Sequence, residues 1–359
     1  MTAAGPRAVL NDAGQRVRQI VAPRPPATSP TMRRITVPIR RRGLAKYEPR
    51  HGCYLGAFVS QDKNVQGDMR LFEEVVGKGH ASYLRYVGYG TPFPVKWVQE
   101  VRALGAVPNI ALEPNDGLPQ VKDNAYLRTF ARAAAESGGP VFLRFASEMN
   151  GDWTPWHENP QKYRYKFRLV HDVFAEEAPN VALVWTPYCL PQHNIDRYYP
   201  GDDYVDWVGI NLYSVHHHDG REDRPAYRED PTDLLAGVYR RYADRKPIQI
   251  SEFAATHYCL ACNDYVDDFA ITKMRQLYRA LPARFPRVKM IYWFSWDTVA
   301  GKSAENNYAV TDDPRVRDAY YRLIAPDYFR PRFEPRRHWT EKVVPLAPGE
   351  DRAAFPPSS

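Results

Sequence analysis

From residue 52 onward the chain alternates short, almost unbroken apolar runs with longer stretches in which apolar residues recur every three or four positions. The runs span 54–59, 83–87, 107–112, 141–145, 181–185, 204–210, 247–250 and 289–294, and are rich in Val, Ile, Leu and aromatics. Such runs, without polar alternation, read as strands buried on both faces. The stretches between them predict helices over 97–104, 124–136, 162–174, 232–242 and 265–281, the first stopped by Gly105 as glycine commonly stops a helix. Strand then helix, repeated eight times, predicts a (β/α)8 TIM barrel, an α/β fold. Gly56-Ala57-Phe58 is not a Gly-rich phosphate turn, which argues against a doubly wound dinucleotide fold. Three segments are expected. Residues 1–46 form a basic, Pro- and Arg-rich segment without stable structure, 47–325 the barrel, and 326–359 an extended Pro-rich tail along the body.

Composition changes this picture little, but the position of the charge matters. The 359 residues are 44% hydrophobic and 25% charged, the balance of a chain with a full core. No run approaches the roughly 18 apolar residues of a membrane helix. The net charge of +7 points first to nucleic acid. Residues 1–46, however, hold ten Lys and Arg against the single acid Asp12, while the remainder carries 39 bases and 41 acids. A nucleic-acid-binding domain carries its basic patch on the fold itself, so no nucleic-acid partner is expected. The basic segment reads as a solvated tail, with contact to anionic lipid or cell-wall polymer as the second reading. Arg33 and Arg34 suggest a twin-arginine signal, but Pro38 and three arginines follow where an apolar stretch is needed. No signal peptide is expected within this sequence. Four Cys exclude a disulfide-built scaffold.

Residues at the C-terminal ends of barrel strands carry function. Glu148 follows the fourth run, in VFLRFASEMNGDWTPW, and Glu252 follows the seventh, in PIQISEFA. Carboxylates at those two places can meet over a bound sugar. Retaining glycoside hydrolysis needs two carboxyl groups about 5–5.5 Å apart, one nucleophilic and one alternating as acid and base. The plain alternative is that each glutamate pairs with an arginine such as Arg85 or Arg144. The pair on strands four and seven, beside tryptophans, favours catalysis.

The motifs SEMNGDWTPW, DRYYPGDDYVDWVGINLYS, ISEFA and YWFSW resemble glycoside hydrolase family 26, over about 54–294. The resemblance implies that Glu148 is the acid/base, Glu252 the nucleophile, and Tyr213 a hydrogen-bond donor to that nucleophile. It implies that Trp153 and Trp156 line sugar subsites and that Trp296 lies under the reacting sugar; Asn150 and Arg144 complete the expected substrate-binding set. Trp185, Trp207 and Trp293, inside runs, are expected in the core. Ser147 stands where the family's mannanases usually carry His, which leaves mannan specificity open. The expected activity is endo-β-mannanase-like cleavage of a β-linked polysaccharide. A mixed-linkage glucan, a xylan, an exopolysaccharide, or a binding barrel without turnover are the alternatives. The resemblance implies no metal and an extracellular setting; no cofactor is expected, and the oligomeric state is left open with a monomer favoured.

Two clusters remain. His216, His217 and His218, with Asp219 beside them, follow the sixth run and are expected to line the sugar groove, since three adjacent histidines cannot all face one ion unless the backbone coils tightly. His257, Cys259 and Cys262 form HYCLAC after the seventh run, and a lone CxxC with one His falls short of a four-ligand zinc site. For an exported protein, a Cys259–Cys262 disulfide is the cheapest pairing open to the four cysteines.

Overall fold

Apolar runs with no polar face must be covered on both sides, and in this chain they solve that by closing into a ring. The computed structural model describes residues 43–301 and 305–334. Strands β1 (Cys53–Phe58), β2 (Ser82–Gly88), β3 (Val107–Glu113), β4 (Val141–Phe145), β5 (Val181–Trp185), β6 (Trp207–Ser214) and β7 (Ile248–Ala255) run parallel in chain order. A small antiparallel pair follows, β8 (Tyr258–Cys259) and β9 (Asp264–Tyr265). Strand β10 (Val288–Phe294) is the eighth barrel strand: it pairs with β7 and, through Tyr54↔Met290 to Phe58↔Phe294, with β1. The predicted (β/α)8 barrel is thus closed. Strand β11 (Asn306–Asn307) joins β8, and β12 (Phe329–Arg330) lies parallel to β1 outside the ring.

Helices cover the outside: α1 (Met69–Val76), α2 (Val95–Ala103), α3 (Ala125–Glu136), α4 (Pro160–Glu177), α5 (Pro231–Tyr242), α6 (Asp267–Arg284) and α7 (Pro314–Ile324). Their starts share one chemistry. Asp68, Asn124, Asn159, Asp230 and Asp313 each accept a hydrogen bond from a backbone N–H of the first turn, a cap worth about 1 kcal/mol. In α4, α5 and α7 proline follows the cap, where its missing N–H is not needed. Between β5 and β6 the expected helix is absent, and short 3-10 turns over Gln192–Tyr198 and Asp202–Tyr204 take its place.

Alternation across the strands separates two cores. Leu55 and Ala57 face the helices, whereas Tyr54 and Phe58 fill the barrel with Leu84, Phe142, Trp207 and Tyr292. Gly56 is required by this filling: a Cβ there would lie 2.4 Å from the Tyr292 ring. Beneath the mouth, Ser82 and Asn109 bond the Tyr292 hydroxyl at 2.6 and 2.8 Å. Trp185, Trp207 and Trp293 are fully buried.

Packing onto the barrel continues on either side of 47–325. Ala45 is buried, Lys46 donates to Val181 O at 2.6 Å, and Trp207 donates to Lys46 O at 2.6 Å. Tyr47 stacks edge-on against Phe142 and Phe333, closing the end opposite the strands' C-termini. The expectation for the basic segment otherwise falls on residues outside those described, as does that for the tail beyond 334. No described helix is long and apolar enough to cross a membrane.

Two expected strands shift. The sixth begins at Trp207, because Asp202–Tyr204 forms a turn, and runs on to Ser214, which places Tyr213 inside it. The seventh extends past 250 to Ala255, so Glu252 is also an in-strand residue.

Candidate active site

Strand β7 delivers Glu252 opposite Asn211 of β6, just beyond an irregularity in their register. The carboxylate is 3% exposed, and burying it unpaired would be costly. It is fully partnered. Arg144 from β4 donates Nη2 to Oε1 at 2.6 Å, Tyr86 from β2 donates its hydroxyl to the same oxygen, and Tyr213 from β6 donates to Oε2. Arg144 is wholly buried and also donates to Ser147 Oγ at 3.2 Å and Asn211 Oδ1 at 3.5 Å. Burial works against this guanidinium, but Glu252, Tyr86 and Glu113 hold its pKa above the ordinary value. The ion-pair alternative for Glu252 and the catalytic one therefore describe the same contact.

Glu148 is held differently. It follows β4 on a turn where Ala146 (φ 48°) and Glu148 (φ 60°) adopt the left-handed conformation, a strain of order 1–3 kcal/mol each for residues with a side chain. The turn is fixed by Glu148 N donating to Thr186 O at 2.8 Å and Gly151 N donating to Glu148 O at 2.9 Å. Its side chain points back over the barrel mouth. Asn211 Nδ2 donates to Oε1 at 2.7 Å, and Trp153 Nε1 donates to Oε2 at 2.7 Å. The Trp153 ring packs over Gly151, where a Cβ would come within 2.2 Å of it. Burial, then the Glu252 charge, push the Glu148 carboxyl up to about 7, against the pull of Asn211, Trp153 and Arg144. Glu113 at the end of β3 accepts from Ser147 N at 3.1 Å, and burial raises it to about 7 as well, opposed by Arg144 and Ser147.

Both glutamates border a cleft of about 780 Å³ at the C-terminal ends of the strands, with Tyr86, Tyr188, Tyr213, Trp153 and Phe294 among its walls. The expected residues do not all serve it alike. Trp153 is 54% exposed, set at right angles to Tyr188 with ring centroids 5.2 Å apart. Trp156 borders the cleft but is buried, its indole N–H donating to Ser147 O at 2.7 Å. Arg144 lies on the floor, engaged with Glu252. Asn150, expected to bind substrate, is instead spent on the chain after β5. Its Nδ2 donates to Tyr188 O (3.0 Å) and Leu190 O (3.2 Å), and its Oδ1 accepts from Tyr188 N (2.8 Å). Trp296 stands behind the cleft wall, packed against Phe58 and Phe294. Tyr86, Asn211 and Glu113 went unread in the sequence. Each is a polar residue near the C-terminal end of a strand, and that position was the available signal.

Comparison with known proteins points in one direction. Residues 119–224 match the family model described as Glycosyl hydrolase family 26. That match covers less than a third of the chain, and over those residues the chain is similar to the family. The family 26 match contains Glu148 and Tyr213 and stops before Glu252. Endoglucanase H of Acetivibrio thermocellus is 24% identical over 293 residues, 76% of this chain and 30% of its own. A beta-1,3-xylanase of a Vibrio species is 32% identical over 158 residues, 43% of this chain and 32% of its own. The chain thus spans about a third of these relatives' lengths. A modular endo-beta-1,4-mannanase from Cellulomonas fimi superposes with a TM-score of 0.55 at 16% identity, over 77% of this chain and 71% of that one. That likeness concerns the barrel fold.

Away from the two cleft carboxylates, the two His/Cys clusters prove to be one. The donor atoms of His216, His217, Cys259 and Cys262 lie within 4.8 Å of one another. His218 turns away to Glu229 at 2.7 Å, and Asp219 pairs with Arg224. His257 is buried elsewhere, facing Ala309 O at 3.0 Å. All four cysteines are free thiols. The two clusters, read as separate loops in the sequence, converge because β6 and β7 are neighbours and their loops rise side by side.

Proposed function

We propose that this chain is a retaining β-glycoside hydrolase that cuts a β-linked polysaccharide by double displacement. The observation that carries the reading is the unequal treatment of two glutamates in one cleft. Glu252 has a buried cation and two tyrosine hydroxyls on its oxygens, which favours the anion a nucleophile needs. Glu148 has only neutral donors and a carboxyl raised to about 7, which suits a group that gives and takes a proton near neutrality.

In the first step a Glu252 oxygen attacks the anomeric carbon while Glu148 transfers its proton to the departing glycosidic oxygen. The C–O bond to the leaving sugar breaks, and a glycosyl ester forms on Glu252. In the second step Glu148, now an anion, takes a proton from water; that oxygen attacks the same carbon and restores the Glu252 carboxylate. Two inversions give retention. Tyr213 and Tyr86 hold the nucleophile in place, and the exposed indole of Trp153 offers a flat platform for a pyranose ring.

The named activities of the relatives, on beta-1,3-xylan and beta-1,4-mannan among others, share a β-linked backbone, and that class is assigned to this chain. Ser147 is buried and bonded to Arg144, and mannan specificity stays open at that position. The substrate need not be mannan. A panel of β-mannan, β-1,3-xylan, mixed-linkage glucan and bacterial exopolysaccharide, read by reducing ends, tests the reading with wild type beside Glu252→Ala. Hydrolysis of one polymer by wild type alone is expected. Binding without hydrolysis in both would make the chain a binding barrel instead.

A further inference from the structure

The geometry points to a structural zinc site built by His216, His217, Cys259 and Cys262, clamping the loop after β6 to the β8–β9 hairpin. Cys262 Sγ lies 3.3 Å from both His216 Nδ1 and His217 Nδ1, and Cys259 Sγ lies 3.6 Å from His217 Nδ1. A tetrahedral ion with bonds of about 2.3 Å to sulfur and 2.0–2.1 Å to nitrogen has donor–donor edges of roughly 3.3–3.8 Å. Three of the six edges already have that spacing, and all four donors lie within 4.8 Å of one another, so a small closing movement completes the set.

Local structure supports the same assignment. The two cysteines flank the tight turn between β8 and β9, with Asn263 in the left-handed conformation (φ 48°), and Cys262 N donates to Cys259 Sγ at 3.3 Å. A backbone N–H on the sulfur stabilises a thiolate ligand and fixes its direction. Across from them, His216 O accepts from Ala226 N at 3.0 Å and His217 bridges to Pro225, which holds the histidine pair on a short stem. Tyr227 and Phe269 pack against the His216 ring at 5.3 Å each and wall the donors from one side.

The donor set selects the ion. Two thiolates and two imidazoles in tetrahedral array suit zinc(II), and carboxylates, which would favour harder cations, take no part. On binding, each thiol yields its proton to solvent, two per ion. With neutral imidazoles the assembled site carries no net charge, as its partly buried position requires. Four protein ligands close the coordination sphere and leave no place for a reactive water, so the ion is a clamp rather than a catalyst. What it clamps is the cleft: His218 and Asp219 follow the histidines, and Asn306 sits on the strand that pairs with Cys259. The site stands whether or not the hydrolase reading does.

The test uses the full chain, reduced and stripped of metal, titrated with zinc against a chromophoric chelator. One ion per chain and two protons released are expected. Cobalt(II) should give a thiolate-to-metal charge-transfer band and the intense visible absorption of a tetrahedral site, and zinc should raise the unfolding temperature. Cys262→Ser and His217→Ala should each weaken binding at least about 100-fold, while His218→Ala should retain the ion. Absence of zinc binding by the reduced wild-type chain would overturn the assignment, whatever the variants do. So would unchanged zinc affinity in a Cys259→Ser/Cys262→Ser double variant.

Discussion

Two carboxylates share one cleft on opposite terms. Glu252 sits in a strand, its oxygens taken by donors from three other strands, one of them the Arg144 cation. Glu148 sits on a strained turn, meets only an amide and an indole N–H, and is pushed up to about 7. Glu252 is buried and Glu148 half-buried. The difference lies in the donors: a cation on one side, neutral groups on the other. Asn211 joins the two, donating Nδ2 to Glu148 and accepting from Arg144 through Oδ1, so a change at one carboxylate is felt at the other.

Removing the anion that Arg144 faces should have the largest effect. Glu252→Gln keeps the shape and loses the attacking oxygen, so turnover should fall by several orders of magnitude on every glycan cut by wild type, as measured by reducing ends. Activity within tenfold of wild type would assign the chemistry elsewhere. Next comes the cation. Arg144→Met leaves Glu252 and Glu113 buried without their partner, and breaking such a pair costs about 3–5 kcal/mol. Urea unfolding should show that loss, and an unchanged midpoint would mean that Arg144 does not organise the site.

Smaller effects come from the donors on Glu148. The acid role needs the protonated carboxyl, present below about pH 7 and lost as pH rises through that value. Asn211 favours the anion, so Asn211→Ala should raise the Glu148 pKa and move the alkaline limb of kcat/KM upward. A downward move would contradict the assignment. Trp153→Phe removes the second donor and should shift the same limb in the same direction, by less, while weakening substrate binding through the smaller ring.

The barrel was legible because strands covered on both faces leave unbroken apolar runs; β4 and β5 were read to the residue. The site was legible only in part, for one physical reason. Its carboxylates and tyrosines lie on barrel strands where polarity interrupts the run, so Ser251-Glu252 ended the predicted seventh strand too early, and Tyr213 fell outside the sixth. Helices α1 and α7 were missed although Asp68 and Asp313-Pro314 announce their starts. Asn150 and Trp296 look like sugar ligands in a motif, but only the folded chain reveals that one holds a loop and the other backs a wall. The histidine and cysteine clusters, 42 residues apart from His217 to Cys259, each fell short of a site when read alone.

The central claim is the division of labour between Glu148 and Glu252, and a substrate that needs no proton separates the two roles. On an activated dinitrophenyl glycoside of the preferred sugar, Glu148→Ala should still form the glycosyl ester on Glu252, detectable by mass spectrometry. Azide, which attacks without a general base, should then restore turnover and give a glycosyl azide of retained configuration. Glu252→Ala should form no ester. A retained azide product from Glu252→Ala, with Glu148→Ala inert, would exchange the two roles and contradict this division of labour.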